Sequence, residues 1–394
     1  MIKKGIKNID VILLFALCVL IFTYLILQPS HDIAVHVKQV IRINSHQVNY
    51  PANFLFYFLI NLLSGFSNGK MLYIVTVVLL SLAVVAKYLI SKNVFIKLNE
   101  ISNQNLKPIE RYTFLSIMLG LFFCFAIPDP FSLLVLKKMY LSKFVPMVWH
   151  NSTTILLFPF AILLFWKQLK ILYAVEISVK EIIVINLLVV LNILIKPSFI
   201  FAYAPITLLF ICKKNAFQNI RSLLLKLTPF FTTGLIILIQ YYLIFIKQDG
   251  SFYNEKSQVA ISAPFETLLG FVPLWFIPFS FIFSYALVIF ATIFYKEILN
   301  FTPFKYALSL TIFGIVISAF IIERGPRELH GNFLWQNVIC TYLLFMTTVS
   351  FLASKLLIKA TWTLKDRILG SLFFIHVISG IVYLIKIVVT TSYY

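Results

Sequence analysis

Apolar residues run in long blocks separated by short basic gaps, and within the blocks no clear helical or strand period stands out. Blocks near 11–27, 71–90, 112–127, 153–170, 181–195, 199–212, 227–246, 267–294, 306–322, 334–353 and 369–390 approach or exceed the length of a membrane span. A span takes about 20 apolar residues, because the hydrocarbon layer is about 30 Å thick and each backbone polar group inside it must be paired within its own helix. Loss of the amphipathic period is what helices buried on all sides show. The pattern predicts an all-α fold, a polytopic transmembrane bundle of about eleven spans forming a single domain over residues 1–394.

One block is ambiguous. Residues 52–66 are apolar but short, begin after Pro51 and end in Ser-Gly. If this block does not cross, 20 basic residues fall on the cytoplasmic side and 11 on the external side; if it does, the count reverses to 12 against 19. Cytoplasmic loops carry the excess of Lys and Arg. The expected topology therefore has the N-terminus in the cytoplasm, the C-terminus outside, and 52–66 as an external interfacial or re-entrant helix within a first external loop spanning 28–70. The densest basic loops, 91–111, 213–226 and 354–368, are then cytoplasmic.

Composition narrows the class further. Hydrophobic residues make up 61% of the chain and charged residues 12%, against roughly a quarter charged in soluble domains. No soluble fold hides that much apolar surface. The net charge of +19 sits in short loops between blocks, which suits anionic lipid and argues against a nucleic-acid partner. Cys18, Cys124, Cys212 and Cys340 lie in or at the ends of apolar blocks without CxxC spacing, so neither zinc nor a disulfide framework is signalled. The basic start followed by Val11 to Leu27 reads as a retained signal anchor, too long for a cleaved signal core. Abundant Lys, Asn and Ile suggest a bacterial source, and hence the bacterial cytoplasmic (inner) membrane.

With this topology, the polar candidates collect on the external face. His31 and Asp32 follow the first span; His150 and Asn151 open the span that begins near 153. Lys196 stands in Lys196-Pro197-Ser198 between two short blocks. Arg324, Arg327 and His330 lie in an external polar loop, 323–333. Each has a structural alternative: His31-Asp32 and Asn151 suit helix caps, Lys196 can snorkel to the headgroups, and the arginines can pair with Glu323 and Glu328. Trp149 suits an interfacial aromatic belt. The chemistry available is a carboxylate able to act as base, with cations suited to phosphate. No metal-ligand spacing such as HExxH occurs, so no metal and no cofactor are expected.

An acid where the first span leaves the membrane, an amphipathic excursion, and then Tyr50-Pro51-Ala52-Asn53 leading into an aromatic helix resembles the GT-C class of membrane glycosyltransferases. The resemblance covers roughly the first 70 residues. It implies a GT-C-like bundle that transfers a sugar from a polyprenyl-phosphate-linked donor to a glycan or lipid-linked acceptor. Asp32, with His31, would be the catalytic pair, and Arg324, Arg327, Lys196, His150, Asn151 and His330 would hold substrate. Val148-Trp149-His150-Asn151 through Thr154 also resembles a Trp-His-Asn-x-Thr element of bacterial membrane proteins from polysaccharide gene clusters. An O-antigen or capsule polymerase fits the same features. A lipid-linked oligosaccharide flippase should instead place ionisable groups along the midplane of several helices.

Overall fold

The computed structural model describes residues 9–28, 31–102, 111–137, 139, 143–174, 176–213, 220–247, 258–325, 328 and 331–390. The chain folds as helices α1 (Ile9–Ile26), α2 (Asp32–Asn44), α3 (Leu55–Leu63), α4 (Lys70–Ser102), α5 (Arg111–Phe123), α6 (Ser152–Tyr173), α7 (Val179–Ile195), α8 (Ser198–Lys213) and α9 (Ile220–Tyr241). Strand β1 (Gln258–Ile261) and helices α10 (Glu266–Leu269), α11 (Ile277–Phe294) and α12 (Thr302–Phe320) follow, then strand β2 (Ile321–Arg324) and helices α13 (Trp335–Leu356) and α14 (Leu364–Thr390).

Among the described residues, eight helices are long and apolar enough to cross a membrane: α1, α4, α6, α9, α11, α12, α13 and α14. This is an integral membrane protein built as a helical bundle. Every predicted block contains a helix, but α5, α7 and α8 have 13, 17 and 16 residues. The 267–294 block is not one helix: Pro273 separates α10 from a 3-10 turn at Leu274–Phe276 that leads into α11. Helix α3 has nine residues, a rise of about 14 Å, less than half the hydrocarbon thickness.

Helix α13 is the axis of the bundle. Its residues are buried from Gln336 to Ser354, and α4, α6, α8, α11 and α12 pack around it. Gly314 lets α12 approach: a Cβ there would stand 2.8 Å from Asn337 Oδ1. The buried Lys87 lies in the aromatic wall between α4 and α13, its Nζ 3.9 Å from the centre of the Phe158 ring and 4.0 Å from that of Tyr342. Helix α1 packs along α4, and where α1 begins Asp10 accepts from Lys92 at 2.8 Å and from Tyr88 at 2.9 Å.

The residues just ahead of α6 are more buried than an ordinary loop. Phe144 to His150 carry almost no exposed surface, because irregular backbone at this depth must find partners inside the protein. His376 and Ser379 of α14 supply some of them, bonding the carbonyls of Phe125 and Ala126. Phe144 N–H donates to Ser284. Trp149 is only 2% exposed, set between Phe22 and Phe122, rather than in an interfacial belt.

The fold is all-α but for one element absent from the hydrophobic pattern. β1 and β2 form a two-stranded antiparallel sheet with Gln258 opposite Arg324 and Ile261 opposite Ile321. Strands of four residues are too short to print a period-two signature. The sheet clamps the stretch before α10 to the end of α12.

Candidate functional site

Four helices begin at one place, at the end of the bundle where α1 finishes. They are α2, α6, α8 and α13, and the residues at their starts are Asp32, Asn151, Lys196-Pro197-Ser198 and Trp335. Each start has a local cause. His31 caps α2, its Nδ1 accepting from the Ile33 N–H at 3.3 Å. Asn151 caps α6, its Oδ1 accepting from the Thr154 N–H at 3.0 Å. Pro197 disfavours helical geometry in the residue before it, and Lys196 stands at φ −169°, ψ 115°, breaking α7 from α8. Gly331 adopts φ +62° in the turn before α13, where a Cβ would also strike Leu334, so glycine is needed there.

These starts touch one another. Lys196 Nζ donates to Asn151 Oδ1 at 2.9 Å and lies 4.2 Å from the centre of the Trp335 ring. His150 meets the same ring edge-on at 5.8 Å. Asn53 Nδ2 donates to the Ile195 carbonyl at 3.3 Å, tying the chain ahead of α3 to the end of α7. Asn151 Oδ1 also takes the hydroxyls of Thr153 and Thr154, so four donors crowd one oxygen. The hydroxyls of Ser152 and Ser198, at the first turns of α6 and α8, are buried without a hydrogen-bond partner among the described residues.

Asp32 faces this group from α2. Its carboxylate lies 3.3 Å from His36 Nε2, one helical turn on, and keeps 28% of its side chain accessible. His36 Nδ1 is 2.7 Å from the buried Tyr57 hydroxyl of α3. With the tyrosine donating to Nδ1, the ring proton sits on Nε2, an assignment that follows from the network, and His36 approaches Asp32 Oδ2 as an ion-pair partner at 3.3 Å without completing a hydrogen bond to it. The line Tyr57, His36, Asp32 fixes the carboxylate from behind.

The electrostatics follow from burial and neighbours. For Asp32, burial pushes the carboxyl up, but His36, His150 and Lys196 more than offset it and leave it below its ordinary value. Burial brings Lys196 down to about 7, although Asp32 pulls the other way. Burial also takes His150 down to about 3, with Asp32 opposing and His31 and Lys196 reinforcing it. His150 is therefore a neutral ring at physiological pH. His31 is lowered by burial, partly countered by Asp32.

Of the sequence candidates, the fold brings together His31, Asp32, His150, Asn151 and Lys196. Arg324 is engaged elsewhere: its guanidinium makes a two-pronged contact with Glu266 at 2.6 and 2.9 Å and meets Glu328 at 2.9 Å. Arg327 and His330 lie outside the described residues. His36, Tyr57 and Trp335 were not singled out as site residues in the sequence. The first had a signal, since Asp32 and His36 stand four apart at a helix start, but the other two arrive through tertiary packing alone. Among the described residues no group of three or more His, Cys, Asp or Glu gathers closely enough to hold a metal ion.

The arrangement offers an accessible carboxylate facing a titratable ammonium, with helix N-termini that favour negative charge. No family model, curated protein or solved structure matches the chain.

Proposed function

We propose that this protein is a membrane glycosyltransferase of GT-C type, taking a sugar from a polyprenyl-phosphate-linked donor at the face where α1 ends and passing it to a glycan or lipid-linked acceptor. In this reading that face is external, in a bacterial cytoplasmic membrane, with the N-terminus inside and the C-terminus outside. The observation that carries it is the facing of Asp32 and Lys196 across a site where four helix N-termini meet. Asp32 takes the proton of the acceptor hydroxyl, whose oxygen forms the new bond to the anomeric carbon. The bond from that carbon to the donor phosphate breaks, and the phosphate leaves with the electron pair. Lys196, with the α6 and α8 N-termini, stabilises that charge where it develops. His36 and Tyr57 position the carboxylate, and the Trp335 face beside Lys196 gives a sugar ring a flat apolar surface.

Arg324, given a phosphate-binding role in the sequence reading, acts here through the loop: its pairing with Glu266 and Glu328 holds the segment leading toward α13. The test is Asp32→Asn, which keeps the size and removes the base. Loss of general-base catalysis should lower turnover by about 10² to 10⁴, with polyprenyl-linked intermediates accumulating in cells that make wild-type levels of the variant. Normal glycan assembly by that variant would overturn the assignment.

A further inference from the structure

At the opposite end of the bundle, a cavity of about 410 Å³ opens between the end of α4, the end of α6 and the start of α12. Its wall combines Ile101, Leu169, Phe301 and Pro303 with Trp166, and Lys170, Asn300 and Thr302 supply polar groups. Trp166 is only 5% exposed, and two amines are held to its ring: Lys170 Nζ at 5.2 Å and Lys97 Nζ at 5.8 Å from the centre. Neither lysine forms an ion pair among the described residues, whereas Lys92, Lys143, Lys355 and Lys359 do.

Two ammonium groups with no counter-anion among the described residues, poised over one indole, point to an anionic ligand. The apolar wall says that this ligand also carries hydrocarbon. The volume agrees, falling within the roughly 300–1,000 Å³ of sites that take organic ligands and exceeding what a free inorganic ion fills. The position agrees as well. The cavity belongs to the end where α1 begins, and Trp and Lys at the end of a span sit at headgroup depth. We infer that this cavity is a binding site for an anionic phospholipid, with the phosphate between Lys97 and Lys170 and the first methylenes against Leu169 and Phe301. Glu100, exposed beside Ile101, is the acid nearest in sequence to Lys97. The site is separate from the one described above and does not depend on the glycosyltransferase reading.

The experiment uses the full chain in nanodiscs of phosphatidylcholine containing rising fractions of either brominated phosphatidylglycerol or brominated phosphatidylcholine. Quenching of Trp166 is taken as the difference between wild type and Trp166→Phe. The expected result is half-quenching at an about thirtyfold lower fraction of the anionic lipid, in keeping with the attraction of two lysines near a membrane surface. The double variant Lys97→Gln, Lys170→Gln should lose that preference, and Lys97→Arg, Lys170→Arg should keep it. Native mass spectrometry provides a second reading: one phosphatidylglycerol retained by wild type and by the Arg pair, and none by the Gln pair. Equal quenching by both lipids, or a preference that survives in the Gln pair, would overturn the inference. So would its abolition by millimolar inorganic phosphate, which would mark a free-anion site.

Discussion

The strongest test of the site does not need the reaction. Lys196 is held at about 7 by burial, opposed by Asp32, so its amine is about half neutral near pH 7, while an ordinary lysine near 10.4 is almost wholly charged. Only the neutral amine reacts with acetic anhydride. Competitive acetylation across pH, read peptide by peptide in the mass spectrometer, should give Lys196 a midpoint near 7. Asn151→Asp changes that value in a direction the structure fixes. Aspartate caps a helix as well as asparagine, and the new charge falls on an oxygen 2.9 Å from the ammonium. A charge pair about 4 Å apart is worth about 4 kcal/mol at an effective dielectric of about 20, or about three pKa units, and the contact here is closer. Relaxation of the surroundings and water penetration bring the expected rise to about two units.

Asp32→Asn should do the reverse. Asp32 raises the Lys196 value, so removing its charge lowers the midpoint below that of wild type. The same sign governs ligand binding. An anion needs the charged lysine, so affinity for a phosphate-bearing ligand should fall as pH rises through about 7, and in Asp32→Asn that fall should begin at lower pH. In Asn151→Asp the fall moves to higher pH, while affinity below it drops because the new carboxylate competes with the ligand. A wild-type Lys196 that titrates above pH 10, or a midpoint unmoved by Asp32→Asn, would refute the claim that the two residues share one electrostatic site.

Three further predictions rest on other contacts. His36→Gln and Tyr57→Phe should each slow turnover and shift its pH profile while leaving the Lys196 midpoint within about half a unit, because they act on the orientation of Asp32 and not on the cation; a Tyr57→Phe variant with unchanged rate and profile would remove the relay from the argument. Gly380→Ala should be strongly destabilising, since a Cβ at this point of α14 runs into the Phe123 carbonyl oxygen; overpacking costs about 1–3 kcal/mol even where side chains can yield, and a thermal midpoint in detergent equal to wild type would contradict the packing. Arg324→Ala should free its clamp on Glu266 and Glu328, so hydrogen exchange should quicken at 258–261 and 321–324 without moving the Lys196 titration, whereas a shift in that titration would place Arg324 within the site.

The hydrophobic pattern made the helices legible because in a bilayer the solvent selects on length and apolarity alone. It was blunt where helices are interrupted. Pro197 marks the break between α7 and α8 plainly, and Pro273 marks the one inside the 267–294 block, where the apolar run continues across the break and hides it. β1 and β2 left no trace because four-residue strands at loop ends owe their pairing to each other and to α12. The site was legible as residue types on one side: charge bias and histidine placement pointed to Asp32, His150, Asn151 and Lys196. Its internal wiring was not. Arg324 reads in sequence as a phosphate ligand, and only the position of Glu266, far away in the chain, shows that its charge is already met.

His31 and His36 show why the wiring could not be read from adjacency. His31 follows directly on the residues closing α1 and sits next to Asp32, so it reads as the natural partner of the carboxylate. Yet the residue before a helix start is the one whose side chain turns back to the free N–H groups, and His31 does this with Nδ1. The first turn of α2 then carries Asp32 and His36 on the same face, because residues four apart stack along a helix. The capping that engages His31 Nδ1 is thus the event that brings His36 into place. A variant that moved the cap, with His31→Ser and a histidine nowhere else added, should keep both α2 and the Asp32–His36 contact. If it instead abolished turnover at wild-type folding and an unchanged Lys196 midpoint, His31 would have a chemical role beyond its cap, and the carboxylate would be shared between two rings.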